Sequence, residues 1–314
     1  MHTPSVLDET TPAAGLSDVA ARVRTSLARV ALPERAIPLA IVLVVMAVFA
    51  VGLRNEFVQW DDYNNLVDNP HFRGLGWAQI RWMFTTTLMG HYIPLTWLTF
   101  GMDYVIWGMR PAGYHFTNLV LHAANAALFY WVSRRVLRAA APGAGETALR
   151  AGAAVAALFF AVHPLRAESV AWATERRDVL SGLLFLTCVL TYLRAVNAET
   201  PRRRRLLALS LAAFALAMLA KSIVMTLPLL LVVLDWYPLR RLRPLRWSSQ
   251  TLHVLLEKLP FVAVGVGGAA VSYWAVGHNE FFTPMTKYPL PSRIAMALMS
   301  SAGRIGERFT RTAP

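Results

Sequence analysis

The sequence contains few charged residues and almost no cysteine. Of its 314 residues, 16% are charged and 56% are hydrophobic, whereas an average soluble domain is about 25% charged. Together with a mean hydropathy of +0.43, this composition excludes an ordinary soluble domain and indicates a polytopic membrane protein. The one cysteine, Cys188, lies in an apolar run, which excludes an intramolecular disulfide and argues against a cysteine-based metal site.

Acidic residues are also scarce, because 18 Asp and Glu stand against 31 Lys and Arg, for a net charge of +13. The basic residues fall in short clusters between apolar runs, as the positive-inside rule predicts, and do not form the basic stripe of a groove-binding protein. We therefore expect no nucleic-acid partner. Residues 1–35 are polar and too long to precede the core of a cleavable signal peptide, so we expect a cytoplasmic lead and an uncleaved first span.

Eight apolar runs are candidates for membrane spans. They cover residues 36–53, 92–109, 116–132, 151–162, 179–196, 206–220, 223–234 and 259–276. If all eight crossed, the arginines at 202–205 would lie on the opposite side from the N-terminal arginines, against the positive-inside rule. Leaving out 92–109, which contains Pro94 and Asp103 and has the profile of an interfacial helix, restores the charge pattern.

The sequence thus predicts an all-α polytopic membrane protein, with a bundle of about seven transmembrane helices within residues 36–299. We expect a large first outer loop at residues 54–114 and a multi-pass location in the inner, or plasma, membrane. The N-terminus is then cytoplasmic, and the active site lies on the periplasmic or extracellular face. Residues 300–314 carry arginines and no further span, so we expect an atypical, truncated tail.

Two adjacent carboxylates, Asp61 and Asp62, follow directly on the first apolar run. Neighbours in sequence do not point the same way on a helix or a strand, so at most one faces a reacting centre while the other braces the loop. A paired aspartate also occurs in ordinary turns. The position nevertheless makes both residues candidates for chemistry at a membrane surface.

Several cations are predicted to share the outer side with these aspartates. Arg166, Arg176 or Arg177 could make the bidentate contact that a lipid-linked phosphate requires, and Lys221, between two apolar runs, would add a point charge. The alternative is that they snorkel to the interface or pair with acidic neighbours. The residues that we expect to support the site are His163, Glu168 and Asp178 in the same stretch, together with His115 and His122.

A polar stripe runs along the apolar segment 116–132. His115, Asn118, His122 and Asn125 recur at spacings of three and four residues, which places them on one face of a helix. Interhelical hydrogen bonding is the favoured role. Metal binding by the two histidines is the alternative, but no third ligand lies at a telling spacing, so no metal site is predicted and a need for a divalent metal stays open.

Several motifs in order along the chain resemble one known family. They are Trp60-Asp61-Asp62-Tyr63, Tyr92-Ile93-Pro94-Leu95-Thr96, the stretch 113–122, the stretch 163–181, Ala220-Lys221-Ser222, and Leu234-Asp235-Trp236-Tyr237-Pro238-Leu239. Across residues 56–260 the sequence resembles the membrane region of the transmembrane and tetratricopeptide repeat-containing proteins and their bacterial relatives. These are similar to O-mannosyltransferases of the GT-C glycosyltransferase class.

The resemblance implies a GT-C-like fold and a sugar transfer that inverts the anomeric centre. By this resemblance, Asp61 or Asp62 is the general base on the acceptor hydroxyl, and the donor is a polyprenyl- or dolichyl-phosphate sugar, with mannose expected. The acceptor is a protein or a glycan. The family's repeats are absent from this sequence, so an inactive fragment or a non-enzymatic membrane scaffold is the alternative, and a transporter is a further one.

Overall fold

The computed structural model describes residues 33–242, 248–277 and 289–299, except 293, 297 and 298. The α-helices that we number are α1 Ala36–Phe49, α2 Trp77–Thr85, α3 Pro94–Trp107, α4 Pro111–Ala140, α5 Glu146–Val162, α6 Arg166–Ala171, α7 Arg176–Val196, α8 Thr200–Ala220, α9 Leu227–Trp236, α10 Ser249–Leu256 and α11 Leu259–Gly277. The described residues contain no strand, which confirms the all-α prediction. The expected tail at 300–314 and nearly all of the expected lead at 1–35 lie outside the described residues.

Three helical segments of the described chain are long and apolar enough to cross a membrane. They are Ala36–Arg54, Arg176–Val196 and Thr251–Gly277, and they correspond to the first, fourth and seventh predicted spans. The other four spans stay predictions. α4 has 30 residues but is polar along one face, and α8 begins with a run of arginines. The apolar helices indicate a membrane protein, as predicted.

The predicted outer loop is a folded helical unit. A π-helical turn at Tyr63–Val67, a 3₁₀ turn at Leu88–Gly90, and α2 and α3 occupy it, and a further 3₁₀ turn at Ala50–Arg54 leads into it. Its apolar core consists of Leu66, Phe72, Met83, Ile93, Trp97, Phe100 and Tyr114, together with Ala173 from the segment before α7. α3 has 14 residues and is therefore about 21 Å long, shorter than a hydrocarbon core of about 30 Å. Its position relative to a membrane stays a prediction.

The polar stripe of α4 makes hydrogen bonds to neighbouring segments. Asn118 and Asn125 donate to backbone carbonyls just before and within the first turn of α7, at 2.9 and 2.8 Å. Nε2 of His122 lies 2.8 Å from the carbonyl oxygen of Ala161 in α5. His115 is buried on the same face. The stripe therefore places α4 between α5 and α7 and fixes the start of α7, where the candidate site lies.

Arg176, the first residue of α7, is fully buried. Its Nη2 donates to Asp103 Oδ2 at 2.5 Å and to the carbonyl oxygen of Tyr114 at 2.9 Å, and its Nε donates to Asn118 Oδ1. The guanidinium also lies over the ring of Phe100 at 4.9 Å. A single side chain thus joins α3, α4 and α7, and its hydrogen bonds hold the 54–114 unit against the bundle.

Candidate functional site

The adjacent aspartates have different environments. Asp62 is fully buried: its Oδ1 accepts hydrogen bonds from the backbone N–H (2.8 Å) and the hydroxyl of Thr174, and its Oδ2 accepts from the N–H of Val58 at 3.0 Å. Asp61 keeps 21% of its side-chain surface exposed, and its Oδ2 lies 3.5 Å from Nη2 of Arg177. Asp62 therefore ties two loops together, while Asp61 faces a group of charged side chains.

These side chains form an alternating chain of charges. Glu175 Oε1 accepts from Arg177 Nη2 at 2.5 Å and from its Nε at 3.1 Å. Glu175 Oε2 lies 3.2 Å from Lys221 Nζ, which also donates to Asp178 Oδ1. We call Asp61, Arg177, Glu175, Lys221 and Asp178 the charge chain. Three carboxylates and two cations give it a formal charge of −1 when all five are ionised.

Three parts of the sequence meet in the charge chain. Glu175, Arg177 and Asp178 lie at the start of α7, where acidic residues are favoured by the positive end of the helix dipole. Lys221 is extended, with φ −159° and ψ 125°, between α8 and the 3₁₀ turn Ser222–Thr226. Asp61 comes from the turn that follows the first apolar helix. The site is therefore assembled at one end of the bundle, where two long helices begin and end.

The cations hold Glu175 in its charged form. Burial by itself would raise the pKa of Glu175, but the hydrogen bond and charge of Arg177 and the charge of Lys221 lower that pKa to about 2. A carboxylate of this pKa is a weak proton acceptor at neutral pH. Glu175 is thus suited to position the two cations, whereas Asp61 makes a longer contact to Arg177 and is 21% exposed, against 8% for Glu175.

A cavity of about 320 Å³ lies against the two cations. Its lining residues are Gly90, His91, Tyr92, Ile93, Arg177, Lys221, Ser222, Ile223, Met225, Ser272 and Val276. The cations therefore share the cavity with apolar side chains from three parts of the chain. Burial, and then the charges of Arg177 and Lys221, lower the pKa of His91, so its imidazole is neutral at pH 7.

Asp61 is held beside this cavity by its own helical turn. The Asn65 side-chain amide donates to the backbone carbonyl of Asp61 at 2.8 Å and contacts Met89 Sδ at 3.3 Å. Met89 and Gly90 both have positive φ, 53° and 76°, and Gly90 lines the cavity. A β-carbon disfavours this backbone conformation, so the positive φ of Met89 marks an unusual backbone turn close to Asp61.

A second cavity, of about 210 Å³, lies between α4, α5 and α7. Arg166 lines it, with its guanidinium 4.9 Å from the centre of the Phe160 ring, and His122 lines it as well. Asp178 separates the two cavities, because its Oδ1 accepts from Lys221 and its Oδ2 accepts from the Ser169 hydroxyl at 3.2 Å. Arg166 is therefore close to the charge chain without belonging to it.

The remaining predicted site residues lie elsewhere. Arg176 has internal partners and lines neither cavity. His115 is 2% exposed within the bundle. The carboxylate of Glu168 is exposed and has no ion-pair partner in the described chain. Nδ1 of His163 accepts from the Leu165 N–H at 3.3 Å, which keeps its ring at the turn before α6.

Two residues of the site were not among the predicted site residues. Glu175 is one of the acidic neighbours with which the arginines of this stretch could pair, yet it contacts both cations of the cavity. His91 was not singled out, although it directly precedes one of the family-like motifs, Tyr92-Ile93-Pro94-Leu95-Thr96. A carboxylate immediately before two arginines was the available signal for Glu175. The residues that the structure describes contain no group of three or more side chains suited to hold a metal ion.

Comparison with known proteins gives partial matches. No family model matches the sequence, and no solved structure matches it. The chain is 34% identical over 182 residues to the protein O-mannosyl-transferase Tmtc3 of Drosophila melanogaster, which covers 53% of this chain and 20% of that protein. It is 35% identical over 158 residues to the protein O-mannosyl-transferase TMTC1 of Homo sapiens, covering 46% and 16%.

A third relative is the protein O-mannosyl-transferase TMTC2 of Mus musculus, at 37% identity over 117 residues, covering 35% of this chain and 13% of that protein. The chain thus spans a fifth or less of the length of these curated relatives. The matches support a relationship to these O-mannosyl-transferases, in agreement with the resemblance of the motifs. The GT-C class stays a prediction.

Proposed function

We propose that the protein is a GT-C-type membrane glycosyltransferase that transfers a sugar from a polyprenyl- or dolichyl-phosphate donor to a hydroxyl of a protein or glycan. Mannose is the expected sugar, because the relatives are named protein O-mannosyl-transferases. The observation that carries the proposal is the contact between Asp61 and Arg177, in which a partly exposed carboxylate lies beside a cation that lines a cavity. The active site then faces the periplasmic or extracellular side.

In this reaction Asp61 is the general base. The acceptor hydroxyl oxygen attacks the anomeric carbon, its proton passes to the carboxylate of Asp61, and the bond from the anomeric carbon to the phosphate oxygen breaks. Asp62 does not have this freedom, because both of its oxygens accept hydrogen bonds in a buried site. We assign Asp62 to positioning, since it holds the turn that carries Asp61 against the start of α7.

Arg177 and Lys221 stabilise the leaving group. The donor phosphate is a diester with one negative charge, and it leaves as a monoester that carries more negative charge, so cations aimed at it act most strongly in the transition state. Nη1 of Arg177 makes no hydrogen bond within the described chain, whereas Nε and Nη2 are engaged by Glu175 and Asp61. Arg177 can therefore contact a phosphate through Nη1 and keep its hydrogen bonds to Glu175 and Asp61.

Glu175 contacts both cations and Asp178 contacts Lys221, so these carboxylates hold the cations in place. Lys221 is one-quarter exposed and contacts both carboxylates, which fixes its flexible side chain before the donor arrives. Ile93, Ile223, Met225 and Val276 form apolar parts of the cavity lining. These side chains suit the first isoprene units of the donor lipid, while the phosphate lies against the cations.

The decisive experiment replaces Asp61 by Asn. In the protein reconstituted in membranes with radiolabelled polyprenyl-phosphate mannose, Asp61→Asn should lower the rate of transfer by about 10²–10⁴-fold and leave donor binding close to that of the parent. Asn preserves the size of the side chain but does not accept the proton. Asp68→Asn is the matched control, because Asp68 is an exposed carboxylate in the same turn region.

If the Asp61→Asn variant transferred sugar at the parent's rate, another group would have to be the base. If the parent itself does not bind polyprenyl-phosphate mannose, the glycosyltransferase proposal fails, and the scaffold or transporter alternative is favoured. Asp62→Asn should lower the denaturation temperature, since it replaces a buried acceptor of three hydrogen bonds. Comparing stability with transfer therefore separates the positioning aspartate from the base.

A further inference from the structure

A third cavity lies at the other end of α7 from the charge chain. Its volume is about 380 Å³, and its lining residues are Arg135, Arg138, Ala139, Leu193, Val196, Asn197, Pro238, Leu239 and Arg240. The end of α4, the end of α7 and the segment after α9 therefore contribute to it together. From Arg177 to Arg194 α7 rises by about 26 Å, so this cavity is a separate site.

The positive charge of this cavity is only partly balanced. Arg138 donates to Glu146, but Arg135 and Arg240 have no carboxylate partner within the described ranges. Cations brought together without counter-charges repel one another, and a bound anion removes that repulsion.

The turn that presents Arg240 is firmly held. Arg240 has a φ of 53°, a left-handed conformation that residues with a side chain rarely adopt. Next to it, Arg241 donates from Nη1 to Asp235 Oδ1 at 2.9 Å, and its backbone N–H donates to the Asp235 carbonyl at 2.7 Å. Asp235 is fully buried and also pairs with Lys258 at 2.6 Å. Such over-determined backbone strain is common at ligand clamps.

We propose that this cavity, which we call the arginine cavity, binds the phosphate of an anionic phospholipid headgroup. Guanidinium groups bind phosphate oxygens in a bidentate manner, and Arg135 and Arg240 are available for this. α7 is one of the helices long and apolar enough to cross a bilayer, so its end lies at headgroup level. The apolar lining residues Leu193, Val196 and Leu239 can contact the adjoining glycerol and acyl chain.

A lipid fits this position better than a free anion does. Basic cavities between membrane helices are typical binding places for acidic headgroups, and the mixture of arginines with apolar side chains matches a phosphate that carries a hydrocarbon chain. Inorganic phosphate shares the charge but gains nothing from the apolar lining. The two sources are therefore distinguishable by binding, and the proposal does not depend on the glycosyltransferase function.

The test uses the purified chain in a neutral detergent, with bound lipid counted by native mass spectrometry. Phosphatidylglycerol should bind to the parent, and phosphatidylcholine should bind more weakly. Arg135→Gln and Arg240→Gln should each weaken phosphatidylglycerol binding by about tenfold or more, since each removes a charge-assisted hydrogen bond. The control is Arg204→Gln, because Arg204 is exposed at the start of α8 on the same end of the bundle but does not line the cavity.

Arg135→Gln keeps the test valid if substitution of the Arg240 turn disturbs folding, because Arg135 is exposed on α4. Arg135→Lys should recover part of the lost affinity by restoring the charge. If Arg204→Gln weakened phosphatidylglycerol binding as much as Arg135→Gln does, binding would depend only on the general surface charge, and the proposal would be overturned. If inorganic phosphate displaces phosphatidylglycerol at equal concentration, the cavity takes a free anion and the lipid assignment is wrong.

Discussion

Arginines lie near the two ends of α7 in opposite electrostatic settings. At its start, Arg177 is held by Glu175 at 2.5 Å and faces Asp61 at 3.5 Å, and Lys221 likewise contacts two carboxylates. At its far end, Arg135 and Arg240 line the arginine cavity and have no carboxylate partner among the residues described. The same residue type thus belongs to a balanced cluster in one place and to an unbalanced one in the other.

This difference indicates that the two groups of cations have different functions. Cations that are held by carboxylates are fixed in position and stand next to a proton acceptor, which suits a reaction in which charge develops on a leaving group. Cations without counter-charges gain most from an anion that stays bound, which suits a lipid headgroup. The comparison can be tested because the two settings respond differently to substitution, pH and salt.

The largest expected effect follows from removing the charge of Arg177. Arg177→Gln should lower the rate of sugar transfer by about 10²–10³-fold, as found when one stabilising donor is removed from a transition-state site. Arg204→Gln, which removes the same charge at the opposite end of the bundle, should leave the rate near that of the parent. Radiolabelled transfer assays on both variants, with denaturation temperatures as the folding control, measure this.

Arg177→Lys refines this prediction. It keeps the charge but loses the planar pair of donors, so it should recover part of the rate. A rate for Arg177→Gln equal to that of Arg204→Gln would mean that the two ends of α7 do not differ in the way that we propose.

A smaller effect is expected in acid. The pKa of Glu175 is lowered to about 2 from its ordinary value of 4.5, so its contribution to stability is fully present above about pH 4.5 and is lost as the pH falls towards 2. After allowance for solvent screening, we expect this contribution to be on the order of 1–2 kcal/mol. Denaturation temperatures of the parent and of Glu175→Gln between pH 6 and pH 3 test it.

Glu175→Gln should be less stable than the parent at pH 6, and its stability should fall less between pH 6 and pH 3. Parallel curves for the two proteins would contradict the charge chain as we describe it. Arg135→Gln should retain the parent's acid dependence, because the arginine cavity lacks a carboxylate among its lining residues.

The smallest expected effect is a salt dependence at the arginine cavity. Raising the ionic strength from about 0.1 M to about 1 M shortens the screening length from about 10 Å to about 3 Å. Binding of phosphatidylglycerol should therefore weaken by about threefold or more, and binding to Arg135→Gln should weaken less. Titrations at both salt concentrations measure this, and an affinity that salt does not change would indicate purely apolar binding.

Most members of the charge chain were predictable from the sequence. Asp61, Arg177, Asp178 and Lys221 all lie near the ends of apolar runs, and the charge pattern of those runs predicts that they share one side of a membrane. The central role of Glu175 was not predictable, because it depends on contacts with partners far along the chain. Lys221 is 46 residues away from Glu175, and Asp61 is 116 residues away from Arg177.

The sequence by itself determined the helical class and the positions of the apolar runs. It also implied that adjacent side chains point in different directions, which applies to Asp61 and Asp62 and to Arg176 and Arg177. Which member of each pair turns inward was decided only by the tertiary structure. Asp62 is buried because Thr174 and Val58 satisfy its oxygens. Arg176 is buried because Asp103, 73 residues away, compensates its charge. A charged group is stable in a protein interior only where other segments supply such a partner.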